Sequence, residues 1–216
     1  MYSQRIVDCI RDANPTRSIT CLRRRLMKLL EELGEGCEAY LSTTGSTNYK
    51  QKTWADYREE ACDIMIVMID VALTELPDSK WPPQSFLHIQ IDEGKSEAPM
   101  SFDTMEDVKF EIARNICSAD HFLRQRDGDM GFYGAAGRGV KAAAKLCFAK
   151  VPGNDTSNIN DEVFSTIQRK LEKWKGRSTA TTPTTLPKVK LVKPYTTDAI
   201  DAKDFLDDVR DRNENH

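Results

Sequence analysis

The sequence predicts an all-α protein: a helical bundle of about five helices with an irregular insertion and a polar C-terminal tail. Three observations carry this. Leu22, Leu26, Leu29, Leu30, Leu33, Cys37, Tyr40 and Leu41 recur at three- and four-residue steps, the stripe of a 3.6-residue helix. Residues 61–73 are apolar on nearly every face, as expected of a helix surrounded by other helices. Helix-breaking clusters at Asn14-Pro15, residues 42–48, Pro77, Trp81-Pro82-Pro83 and residues 152–157 separate stretches of helical length. At 216 residues the chain suits one domain with an appendage.

In order, a short amphipathic helix spans 3–13 and stops where Pro15 disfavours helical geometry at Asn14. The first long helix covers 18–41. Thr53, with Asp56 three residues on, offers an N-cap for a second, spanning 53–76. Residues 77–103 read as a break, in which FLHIQID alternates and suggests one short strand or an extended crossover. A third helix runs from Asp103 or Thr104 to Arg126. GFYGAAGRGV (131–140) is too glycine-rich to start a helix, so the fourth is short, 140–149, and the fifth covers 160–175. These divide the chain into a helical domain, 1–177, whose insertion is about 77–157, and a linker with an acidic tail, 178–216. The composition of that tail suits a flexible segment or a small docking helix.

Composition narrows the function. With 31 Lys and Arg against 34 Asp and Glu, a net of −3, the chain has no global attraction for a phosphate backbone, and direct nucleic-acid binding is not expected. The first residues carry charges and lack an apolar h-region, so no secretory signal is expected, and no stretch is clean enough to span a membrane. Six cysteines without CxxC spacing read as reduced, buried thiols of a cytoplasmic protein.

The chemistry lies in the acids. Glu31, Glu32 and Glu35 form EExxE on the first long helix, and Glu60 with Asp63 forms ExxD on the second. Residues three apart share a helix face, so antiparallel packing brings four carboxylates together. Such a group persists only if protonated or bridged by a cation. Oxygen ligands alone favour Mg²⁺ or Mn²⁺. Asp63, between Cys62 and Ile64, has no solvated face to turn to, and a buried carboxylate without a partner costs several kcal/mol. EExxE alone is ordinary helix surface, with Lys28 three and four residues before Glu31 and Glu32. Its pairing with ExxD on a buried helix makes the signal specific.

Residues 26–41, LMKLLEELGEGCEAYL, followed by 57–73, YREEACDIMIVMIDVAL, resemble the MazG-like branch of the all-α NTP pyrophosphatases. That resemblance implies a helical bundle that hydrolyses (d)NTPs to a monophosphate and pyrophosphate with Mg²⁺. Position by position, it implies that Glu32, Glu35, Glu60 and Asp63 are Mg²⁺ ligands and that Glu31 assists the attacking water. Glu35 would thus serve both metal and catalysis. The resemblance is firm over 18–76 and weaker in IQRKLEKWKGR (167–177), where Lys170 matches a nucleotide-contacting lysine. Trp174 stands where that family has asparagine; it either stacks on a base or packs, and packing is the ordinary outcome. Lys28, Lys170 and Trp174 are the substrate-binding candidates.

Similar proteins are homo-oligomers, so a dimer or tetramer is expected, and any uncovered part of the all-apolar second helix would agree with one. GFYGAAGRG lacks the GK[ST] ending of a P-loop, and no histidine has a glutamate three residues before it, which disfavours a di-iron bundle. Arg23, Arg24 and Arg25 read as a solvated face. The leading expectation is a nucleotide pyrophosphohydrolase for pool control or house-cleaning. The alternative is a non-catalytic nucleotide-binding or partner-docking bundle.

Overall fold

The computed structural model describes residues 2–14, 21–45, 51–74, 76, 84–125, 129–150 and 155–180. Among these the secondary structure is entirely helical: α1 (Tyr2–Ala13), α2 (Leu22–Thr43), α3 (Trp54–Ala72), α4 (Gln84–Ser96), α5 (Phe102–Gln125), α6 (Asp129–Cys147) and α7 (Ile159–Ala180). The all-α class holds, with seven helices among the described residues in place of about five. The tail from 181 lies outside them, and α7 runs to Ala180, past the expected boundary at 177.

Helix α3 is the axis of the bundle. Ala61 to Thr74 are buried without interruption, enclosed by α1, α2, α6 and α7. Its start is fixed as the sequence predicts: Asp56 N–H donates to Thr53 Oγ1 (3.3 Å) and Thr53 N–H donates to Asp56 Oδ2 (2.7 Å), a capping box. Its far end is tied to α6 through Tyr133, whose hydroxyl donates to Thr74 O and accepts from Leu76 N–H, each at 3.1 Å. Because its own chain covers residues 61–74, the all-apolar stretch of this helix leaves no uncovered face that would argue for an oligomer. The exposed apolar side chains lie elsewhere, Met27, Leu30 and Leu41 on α2 and Phe110 on α5 among them.

Two segments depart from expectation. FLHIQID is neither strand nor crossover but the body of α4: Leu87 and Ile91, four apart, are buried while Ile89 between them is 46% exposed. The alternation was a short sample of a helical face. GFYGAAGRGV is the first half of α6, because its glycines are contact points. A Cβ on Gly139 would lie 2.5 Å from Met68 Cε of α3, and one on Gly94 of α4 would lie 2.3 Å from Lys141 O of α6. Close packing offsets the roughly 1 kcal/mol that glycine costs inside a helix. Of the cysteines, Cys62 and Cys147 are buried, whereas Cys21 and Cys117 are exposed, so the expectation of buried thiols holds only in part.

Candidate metal centre

Helices α2 and α3 bring the acids together. Gly36 lets them approach: a Cβ there would stand 3.0 Å from Ile64 Cδ1 and 3.9 Å from Glu60 Cβ. One turn before it on α2, Glu32 points into the same contact, and α3 supplies Glu60 and Asp63. One carboxylate oxygen from each of Glu32, Glu60 and Asp63 lies within 4.8 Å of the others, with Glu32 and Asp63 buried and Glu60 half-buried. Oxygens on opposite sides of one Mg²⁺ are about 4.2 Å apart, from Mg–O bonds of about 2.1 Å. At most one of the three pairs can be opposite and the others must be adjacent, about 3.0 Å apart, so the all-oxygen set suits a hard divalent cation and would draw in from its spread of up to 4.8 Å to hold one.

Glu35 is exposed and stands outside this group, as does Glu31. The EExxE spacing does not decide which glutamate faces α3; the crossing at Gly36 selects Glu32.

Each acid of the group meets a lysine. Lys28 Nζ bridges Glu32 Oε1 (2.8 Å) and Glu31 Oε1 (3.0 Å), and its pKa rises chiefly through the hydrogen bond to Glu32. Lys52 Nζ lies 2.8 Å from Glu60 Oε1. Lys170 of α7 contacts Asp63 and reaches Glu59 Oε1 at 2.8 Å. Burial opposes charge on Lys170, but its hydrogen bonds to Asp63 and Glu59 outweigh that and raise its pKa. Burial also raises the Asp63 pKa, to about 6; Glu32 and Glu60 add to the rise and Lys170 opposes it. Glu59 moves the other way, to about 2, held ionised first by Arg169, at 3.3 and 2.8 Å, and then by Lys170. Protein cations thus balance the three carboxylates, and a dication entering the group competes with ammonium ions.

Of the substrate candidates, Lys28 and Lys170 sit on the acids and Trp174 is half-buried against the main hydrophobic core, one turn after Lys170. Lys52, Glu59 and Arg169 complete the site and were not singled out from sequence. They lie on three different elements, and no local pattern joins them. The arginine cluster is not uniformly solvated: Arg25 is 15% exposed and pairs with buried Asp70 at 3.0 Å, while Asn14 donates to the other Asp70 oxygen at 3.1 Å. No described helix is long and apolar enough to cross a membrane. No protein-family model matches the chain, and no curated protein or solved structure matches it significantly.

Proposed function

We propose that the chain is a Mg²⁺-dependent nucleotide pyrophosphohydrolase of the MazG-like kind, cleaving a (d)NTP to the monophosphate and pyrophosphate. The observation that supports this most is the meeting of Glu32, Glu60 and Asp63 across α2 and α3. These three would hold the ion, which supplies charge neutralisation and lowers the pKa of a bound water. Their lysines fit the same chemistry. A triphosphate brings negative charge as the ion brings positive, so Lys28, Lys52 and Lys170 can exchange carboxylate for phosphate oxygens. Lys170, 15% exposed and fastened to α7, is the best placed of them to orient the phosphates. Glu35, exposed one turn beyond Glu32, is the candidate base for the attacking water, with Glu31 beside it on Lys28. The same reading expects a homo-oligomer.

A second reading is supported by the lysines themselves. Three ammonium groups on three carboxylates also describe a closed ion-pair network in a non-catalytic bundle.

The test is pyrophosphate release with Mg²⁺ across a panel of dNTPs, NTPs and modified nucleotides, with Asp63→Asn, Glu60→Gln and Glu35→Ala beside the wild type. The enzyme reading expects monophosphate and pyrophosphate from the wild type and loss in the variants. A folded wild type that turns over nothing in the panel leaves the non-catalytic reading.

A further inference from the structure

Helices α2 and α5 run antiparallel, joined at one end by Arg23 with Asp120 (3.0 Å) and at the other by Tyr40 Oη donating to Glu106 Oε1 (3.2 Å). Between them lies a groove of about 310 Å³ whose walls are Leu33, Cys37 and Leu41 on one side and Phe110 and Ala113 on the other. That volume is at the lower end of small-ligand pockets, roughly 300–1,000 Å³. None of Glu32, Glu60 or Asp63 lines it.

Lys109 lines it. The residue is 7% exposed, and its Nζ is buried with no hydrogen-bond acceptor. The amine instead sits over the Tyr40 ring, 3.1 Å from the centroid, with the Tyr57 ring of α3 at 5.7 Å. A ring face attracts a cation but accepts none of its three N–H bonds in the manner of an oxygen. The other titratable groups around it are Cys37 on α2 and Glu106 on its own helix. Glu106 makes no ion pair with Lys109; its carboxylate is exposed and takes the Tyr40 hydroxyl. A groove lined mainly by apolar groups, with Glu106 its one acidic lining residue, over an ammonium that has no acceptor is complementary to a molecule with an apolar body and a single anionic head.

We propose that the α2–α5 groove binds a small apolar monocarboxylate, with its hydrocarbon between Leu33, Leu41, Phe110 and Ala113 and its carboxylate on Lys109. Binding needs the amine to move from the Tyr40 face toward the groove, a side-chain rotation on a flexible four-carbon stem. The site is independent of the acid cluster, so it stands or fails separately from the pyrophosphohydrolase reading.

The test uses the full chain, without nucleotide or metal, titrated calorimetrically with octanoate and with octanol. Octanoate should saturate one site, and octanol should bind at least tenfold more weakly. Lys109→Met should weaken octanoate about tenfold to a hundredfold, the range for a lost charge-assisted hydrogen bond. Glu106→Gln should tighten it, since a nearby negative charge is removed. Ala113→Phe keeps the lysine but fills the groove and should abolish binding. Because the head group needs the ammonium form, and burial holds the Lys109 pKa at about 8, affinity should fall about tenfold per unit above that pH. Circular dichroism of each variant separates misfolding from loss of contact. The proposal is overturned if octanoate does not saturate the folded wild type, as when a second copy covers the groove. It is equally overturned if octanoate binds Lys109→Met or Ala113→Phe as well as wild type.

Discussion

Replacing Lys109 by methionine should stabilise the protein at neutral pH, although it deletes a buried charged residue in contact with two rings. Burial drops the lysine pKa from 10.5 to about 8. At about 1.36 kcal/mol per unit, this is a burden of about 3 kcal/mol on the folded state wherever both states carry the proton. Methionine follows the lysine stem and removes the burden, but forfeits the contact with Tyr40, worth about 1–2 kcal/mol when desolvated. The net gain is about 1–2 kcal/mol, or a Tm higher by about 2–8 °C for a chain of this size. The sign with pH follows from the folded pKa lying below the unfolded one. The burden is complete below about pH 8 and fades as pH rises toward 10.5, so the advantage of the variant should shrink over that window. Urea and thermal unfolding of both proteins at pH 7 and near pH 10 would show it. A variant at least about 1 kcal/mol less stable at pH 7, or a difference that ignores pH, refutes the claim that the burial of this ammonium costs more than its ring contact returns.

Other perturbations probe the bundle. Arg25→Ala should cost up to about 3–5 kcal/mol in urea unfolding, because it removes the cation paired with Asp70, whose side chain is 4% exposed, and leaves Asn14 donating to the other oxygen; Arg25→Met with Asp70→Leu should recover most of the loss. Gly94→Ala should lose about 1–3 kcal/mol, since its methyl meets the Lys141 backbone oxygen, whereas Gly34→Ala, with nothing within 4 Å, should gain up to about 1 kcal/mol. Equal effects at both glycines would contradict the close α4–α6 approach. For Glu59, whose pKa falls from 4.5 to about 2, the stabilisation is present above pH 4.5 and lost as pH drops toward 2. With 34% of that side chain exposed, solvent screening limits it to about 1 kcal/mol. The stability difference between wild type and Glu59→Gln should therefore close between pH 4.5 and 2.

What the sequence made legible follows from where local pattern and tertiary demand agree. The stripe of α2, the apolar run of α3 and the Thr53 cap are local signals that packing reinforces, and the helices lie within a few residues of expectation. In α4 and the first half of α6 the two disagree. Seven residues cannot distinguish alternation from one helical face, and glycine propensity argues against a helix that Gly139, against Met68, requires. The acid site divides similarly. Glu32, Glu60 and Asp63 were readable from spacing and from the burial of Asp63, but the outward turn of Glu35 depends on how α2 crosses α3 at Gly36. Lys52, Arg169 and Lys109 left no mark, because a single basic residue acquires meaning only from the element that folds against it.

Everything proposed for the acid cluster depends on Glu32, Glu60 and Asp63 forming a divalent-cation site. Titration of the metal-free chain with Mn²⁺, followed by electron paramagnetic resonance of the free ion, tests it without needing a substrate. The expected result is saturable binding that Mg²⁺ displaces and that Asp63→Asn and Glu60→Gln each remove while the fold persists. Absence of saturable binding, or equal binding by those two variants, would contradict it.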